Sequence, residues 1–288
     1  MKLGANLRLC WNVPHNLART REELERLHRL TSCMYYGLEL AGNPRYQDEK
    51  RLTRFGFRAA SQSDEDGIIA QILHRVGPAS RTFVEIGVGD GLKNNTCFLL
   101  LSGWKGAWME ADRWCCAAIR SKFATALAGG RLQLIEQRVT AENVETLLRS
   151  TTVDEGFDVL SIDIDGNDYW AWKAIVRYQP RVVVVEYNAK LGPHQIMTIP
   201  YRPDFVWDSS CYFGASLKAL ELLGAGKGYR LVGCNFTGVN AFFVRDDLVG
   251  DHFLPPFTAE NHYEPARYDV LIPSGHRNEF HEFEVLGA

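Results

Sequence analysis

Glu85-Ile86-Gly87-Val88-Gly89-Asp90-Gly91 is the stretch whose reading decides the fold. It closes a run, 81–86, that reads as a strand, and three glycines at alternate positions follow at its mouth. Glycine there tolerates turn conformations that other residues avoid and lets a ligand approach the backbone closely. The dinucleotide fingerprint GxGxxG would need glycine at 92, where Leu92 stands.

Outward from this loop, strand and helix alternate. Residues 64–76 read as a helix before the first strand. Further strands follow at 107–110, 132–135, 157–162 and 181–185. Between them lie a helix through Ile119 and Phe123, another at 141–148, and one carrying Trp170, Trp172 and Ile175. Such alternation implies a mostly parallel sheet with right-handed crossovers. The order then changes. A helix at 215–223 precedes runs at 229–234 and 240–244, whose short separation suits a hairpin. The expected fold is α/β: a Rossmann-like, mostly parallel seven-stranded sheet with an antiparallel last strand, plus a helical N-terminal extension. Residues 1–60 form that extension, expected to start a helix with Thr20 as N-cap and Glu23 in a capping box and to shape one side of the cleft. Residues 61–250 form the main domain. The tail, 251–288, carries Phe253, Phe257, Tyr263 and Tyr268 and is expected to pack on the core or on another subunit of a homo-oligomer.

Composition narrows the classes. A formal charge of −3 argues against nonspecific nucleic-acid binding through a basic surface. No apolar run approaches the roughly 18 residues of a membrane span, and Arg8, His15 and Arg19 interrupt any signal-peptide core, so a cytoplasmic location without membrane partners is expected. The seven cysteines lack paired CxxC spacing and are expected to be buried reduced thiols.

Glu110 ends the second strand about 20 residues beyond the glycines, where an acidic side chain holds ribose hydroxyls. A wider series then stands in order: Ser61-Gln62 with Glu65-Asp66-Gly67, the glycine loop, Asn94-Asn95-Thr96, 104–112, 160–170 and 182–188. The series resembles the FkbM-type methyltransferases, a class I family associated mainly with O-methylation of natural products and glycans. The resemblance covers roughly residues 61–245. It implies S-adenosyl-L-methionine as cofactor, bound by Glu85, Gly87, Gly89 and Glu110, with Gly91 completing the loop.

Asp163-Ile164-Asp165-Gly166-Asn167-Asp168 ends the fourth strand, and Glu186-Tyr187-Asn188 ends the fifth. Carboxyl ends of parallel strands lie side by side at the ligand-binding edge, and carboxylates with an amide oxygen make a hard site suited to Mg²⁺. Asp163, Glu186 and Asn188 are the expected ligands. The arrangement resembles metal-dependent O-methyltransferases of the catechol type, although there the acid and Asn are adjacent and here Tyr187 separates them. The alternative is that Asp163 and Glu186 contact substrate or the cofactor's amino group directly, while Asp165 and Asp168 cap the next helix.

Methyl transfer to a hydroxyl needs the proton removed. Asp163 and His194, in the loop after the fifth strand, are the candidate bases. Asp165, Tyr201, Trp207 and Tyr212 are candidates for an acceptor pocket, since such pockets are mainly apolar with a few placed polar groups. The expected activity is methylation of a hydroxyl on a small-molecule natural product or sugar-containing metabolite. Methylation of nitrogen and a catalytically silent binding protein are the alternatives.

Overall fold

Every residue of the run Val182, Val183, Val184 and Val185 is buried, as a strand requires when helices cover both faces of its sheet. Each such side chain stabilises the fold by roughly 1.5 kcal/mol or more. The computed structural model describes residues 3–270, with side chains from residue 16 onward. In chain order the elements are α1 (Leu3–Gly42), α2 (Glu65–Val76), β1 (Thr82–Ile86), α3 (Cys97–Leu101), β2 (Lys105–Glu110), α4 (Arg113–Lys122), α5 (Ala124–Ala128) and β3 (Leu132–Glu136). Then come α6 (Val144–Arg149), β4 (Val159–Ile162), α7 (Asp168–Ala174), β5 (Val182–Glu186), α8 (Leu217–Gly226), β6 (Tyr229–Cys234), β7 (Asn240–Arg245), α9 (Asp246–Val249) and α10 (Ala259–His262).

The sheet has seven strands in the order β3-β2-β1-β4-β5-β7-β6. The first five are parallel, while β7 runs antiparallel to both β5 and β6. The strand order reverses between β1 and β4, where an open α/β sheet leaves a crevice at its carboxyl edge. Side chains alternate between the two faces. Val84, Ile86, Leu160, Val183 and Val185 pack with Trp172 of α7 and Leu220 of α8. Phe83, Trp108, Val159, Val182 and Val184 pack with Ile68 and Ile72 of α2 and Ile119 of α4. This alternation fixes the site below: residues 85, 163, 186 and 240 share the α2 face.

The N-terminal region departs from expectation. The helix starts before Thr20, which lies within the continuous run Leu3–Gly42, and α1 ends at Gly42-Asn43-Pro44. After that break the chain already belongs to the core, since Tyr46, Leu52, Thr53 and Ala60 are buried. The tail, as far as residue 270, packs on the body. Phe253 is buried, the Tyr263 hydroxyl donates to the Ala189 carbonyl, and buried Glu264 accepts from Tyr46 and pairs with Arg45 and Arg267. Residues 271–288 lie outside the described part. Cys97, Cys116 and Cys234 are buried, as expected of small apolar groups, but Cys33 and Cys211 are exposed.

Asp64 precedes α2 and is fully buried, accepting from the Phe236 amide at 3.0 Å and from the Ser63 hydroxyl. Burial and the neighbouring Glu65 carboxylate push its pKa up to about 7. A carboxyl raised on folding contributes stability that is complete below its unfolded value, about 4, and is lost as pH rises through the folded one. Asp64→Asn, which keeps an acceptor for Phe236, is therefore expected to flatten that part of the decline in urea midpoint between roughly pH 4 and 7.

Candidate functional site

A cavity of about 480 Å³ opens at the carboxyl ends of β1, β2 and β4. Its floor is the loop Gly87-Val88-Gly89-Asp90, and Glu110 and Met109 of β2 form one wall. Gly87 is in the left-handed region at φ 80°, and a Cβ there would stand 1.7 Å from the Asp163 carbonyl oxygen. Only glycine lets the ends of β1 and β4 meet this closely. Gly89 has open space around it and faces the cavity region. Gly91 is different: a Cβ would meet Trp108 and Phe123, so this glycine serves packing, and the cofactor role expected for it is corrected.

Glu110 ties the loop to β2. One carboxylate oxygen accepts from the Val88 and Gly89 amides at 3.1 and 2.8 Å, the other from the Ala111 and Asp112 amides. Glu85 borders the cavity. It turns toward α3 and accepts from the Asn95 amide at 2.8 Å, the Thr96 amide at 3.0 Å, the Thr96 hydroxyl and the Asn94 side-chain amide. Burial pushes its carboxyl above the usual range while these four donors pull it back. Glu85 thus holds the loop at the cavity where its cofactor contact is expected.

At the other wall, one side-chain oxygen each of Asp163, Asp165 and Glu186 lie within 4.8 Å of one another. Alternation places Asp163 and Glu186 on one face, and Asp165 joins them because its backbone turns through φ 56°. The turn is held by buried Asp168, whose carboxylate accepts from the Ile164 and Gly166 amides at 2.8 Å each. Burial first, then the neighbouring carboxylates, push Asp163 and Glu186 well above the ordinary carboxylate range. Burial and Glu110 raise Asp165. Asn188 is not part of this group. It is buried, donates to the Cys211 and Phe213 carbonyls and accepts from the Lys190 amide, so the expected metal role is corrected. Its place in the cluster falls to Asp165.

Unpaired acceptors gather in the cavity wall. Asn94, Asn167 and Asn240 line it, and each has a buried side-chain carbonyl oxygen without a partner. Their amide nitrogens point at Glu85, the Arg202 carbonyl and Glu65, which fixes the orientation of all three side chains. Glu186 adds a fourth partnerless buried oxygen beside the cluster. Unpaired buried acceptors cost about 1–3 kcal/mol each, so a donor-rich ligand belongs here.

The other expected residues stand elsewhere. His194 is exposed, with Nδ1 3.6 Å from Glu260, and is not among the residues lining the cavity. The Tyr201 hydroxyl donates to Glu142, Trp207 is exposed and donates to the Ser210 carbonyl, and Tyr212 is exposed. From that aromatic segment the wall is made by Phe205 and Pro203, whose apolar character alone did not separate them from their neighbours. Gln137 and Arg138, following β3, and Gln62 were also missed as site residues. The strand-end rule that selected Glu110 applies equally after β3. No described side chain of α1 lines the cavity.

No protein-family model matches the chain, and no curated protein matches it. Among solved structures, a putative O-methyltransferase from Klebsiella pneumoniae is similar at 17% identity over 76% of this chain and 99% of that one, with a TM-score of 0.45. An O-methyltransferase from Bacillus cereus in complex with SAH is similar at 21% identity over 43% of this chain, which spans 57% of that protein, with a TM-score of 0.32. A spermidine synthase from Thermotoga maritima is similar at 16% identity over 67% of this chain and 64% of that one, with a TM-score of 0.37. These likenesses concern the fold alone.

Because Glu85 holds the loop, Glu85→Gln is expected to lower stability, by about 3 kcal/mol, as one acceptor oxygen becomes a donor facing donors. Urea denaturation of the ligand-free protein measures it; a normal midpoint with weakened ligand binding would return Glu85 to a contact role.

Proposed function

We propose that the chain is a class I methyltransferase of FkbM type that transfers a methyl group from S-adenosyl-L-methionine to a hydroxyl of a small-molecule acceptor, a natural product or sugar-containing metabolite. The observation carrying this reading is the cavity with partnerless acceptors at the strand-order reversal, with a glycine loop as floor, Glu110 at one wall and clustered carboxylates at the other. S-adenosylmethionine fits it chemically, since its ammonium, ribose hydroxyls and adenine amine are the donors that the partnerless acceptors lack. When bound, it supplies an electrophilic methyl group on a sulfonium.

The chain's own residues do the rest. Glu110, fixed in place by the Val88 and Gly89 amides, holds the ribose end, and Gly87 lets the ligand approach the backbone. Asp163 faces the acceptor side, where burial and the neighbouring carboxylates raise its carboxyl above the ordinary range and make it a stronger base for a hydroxyl proton. Phe205 and Pro203 cover the cavity and exclude water. In-line transfer depends on positioning, so this rigid frame supplies much of the rate.

Asp163, Asp165 and Glu186 also fit a divalent cation. Three carboxylates with a partnerless buried oxygen form an oxygen donor set suited to Mg²⁺, and positive charge relieves their mutual repulsion. A bound cation supplies polarisation of the acceptor oxygen. The same cluster suits an ammonium group, which supports amine acceptors as the second reading. A silent binding protein is disfavoured because gathering these carboxylates is costly without a ligand.

Calorimetry is expected to give binding of S-adenosylhomocysteine, with NAD much weaker, and Glu110→Ala is expected to weaken it by roughly 1–3 kcal/mol. Tight NAD binding without a response to S-adenosylhomocysteine overturns the assignment. In turnover assays on hydroxyl and amine panels, EDTA is expected to abolish methylation of hydroxyls and added Mg²⁺ to restore it. Activity indifferent to chelation removes the metal and leaves Asp163 as the base, in which case Asp163→Asn lowers turnover far more than cofactor affinity.

A further inference from the structure

The helix α1 leaves the body of the molecule at an unusual point. Every residue from 16 to 31 is exposed. Among the described residues, the last turns dock: Ser32 is buried, the Tyr36 hydroxyl donates to the Gly56 carbonyl at 3.1 Å, and the Tyr36 ring meets Phe236 edge-on. A helix standing alone in water is marginal at this length, and the pairs Arg19–Glu23 and Arg21–Glu25 add only a few tenths of a kcal/mol each.

The exposed surface is not polar all round. Leu17, Leu24, Leu27, Leu30, Met34 and Leu38 each expose between 55% and 70% of their surface. Leu17, Leu24, Leu27, Met34 and Leu38 fall on the a and d positions of one heptad frame, with Thr20 and Thr31 at the positions between. The Thr31 hydroxyl already bonds to the Leu27 and His28 carbonyls, which leaves its methyl for contact. In the same frame Ser32 and Tyr36 occupy b and f, on the opposite side. The helix therefore docks by its back and presents the a/d stripe outward.

We infer that this stripe is the seam of a homodimer, closed by α1 of a second copy of the chain. A period of 3.5 residues is the geometry by which one helix meets another, and a two-fold pairing buries the same stripe on both partners. The area agrees. Burying a leucine removes on the order of 100 Å², so the six side chains together reach about 600 Å² per partner, the lower end of the range for a stable interface. Charge agrees too. Residues 16–42 carry Arg19, Arg21, Arg26 and Arg29 against Glu22, Glu23, Glu25 and Glu39, a balance that suits a copy of itself and lacks the basic excess by which a helix settles on an anionic membrane. In a parallel pairing Glu23 at g meets His28 at e of the other copy, which adds attraction when the imidazole is protonated.

Sedimentation equilibrium of the full chain at micromolar concentration tests this. The expected result is a dimer, converted to monomer by the double substitution Leu24→Glu and Leu27→Glu. The thermal transition and S-adenosylhomocysteine affinity are expected to stay unchanged, because neither Leu24 nor Leu27 lines the cavity. Leu24→Ala with Leu27→Ala is expected to raise the dissociation constant at least tenfold, while Glu22→Ala with Arg29→Ala, on the outer face, leaves it in place. A wild-type monomer overturns the proposal. So does a dimer that both leucine pairs leave intact, and so does a monomer that co-sediments with vesicles of equal phosphatidylcholine and phosphatidylglycerol.

Discussion

One buried carboxylate organises the ligand-binding edge. Glu85 ends β1 on the α2 face, where a charge without partners would be intolerable, and the chain answers with four donors from Asn94, Asn95 and Thr96. Satisfying that charge pulls the segment before α3 across the end of the sheet. The Thr96 hydroxyl in turn accepts from the indole N–H of buried Trp108, so β2 is locked to the same point. Loop, strand and the cavity floor are thus consequences of where a single side chain must find its hydrogen bonds.

The opposite wall follows the reverse logic. Asp163, Asp165 and Glu186 are gathered without enough donors to quiet them, and burial, then acidic neighbours, push Asp163 and Glu186 above the ordinary carboxylate range. Glu186 lies opposite Asn240 in the β5–β7 pairing, and the Asn240 nitrogen is held by Glu65 of α2. Acceptors accumulate on this wall while donors are consumed behind it. The stability given up here is the usual signature of a surface shaped for a ligand rather than for the fold.

Much of this was legible in the residues before any coordinates. The strands and the hairpin followed from period-two burial and short apolar runs, and β5 differs from its expected range by one residue at each end. The side chains were harder. Asn188 and Asp165 exchanged places relative to expectation because one residue at positive φ swings Asp165 inward, and no spacing rule encodes that turn. Thr20 carries a sound capping signal, yet the heptad frame running past it continues the helix. His194 and Tyr201 are near the site in sequence, but the loop after β5 leads them to Glu260 and Glu142 on other surfaces.

The position of β7 has a consequence for the growing chain. It lies between β5 and β6, although it is the last strand to be made. Until residue 245 has emerged, β5 has an unpaired edge of four consecutive valines, the kind of template to which foreign strands add. The hairpin joining β6 and β7 is local and fast to close, but docking it onto β5 needs contacts about 55 residues apart, a slow step. A nascent chain that stalls in that interval exposes its stickiest edge and lacks Asn240 beside Glu186. Competence and resistance to aggregation therefore arrive together, with the same strand.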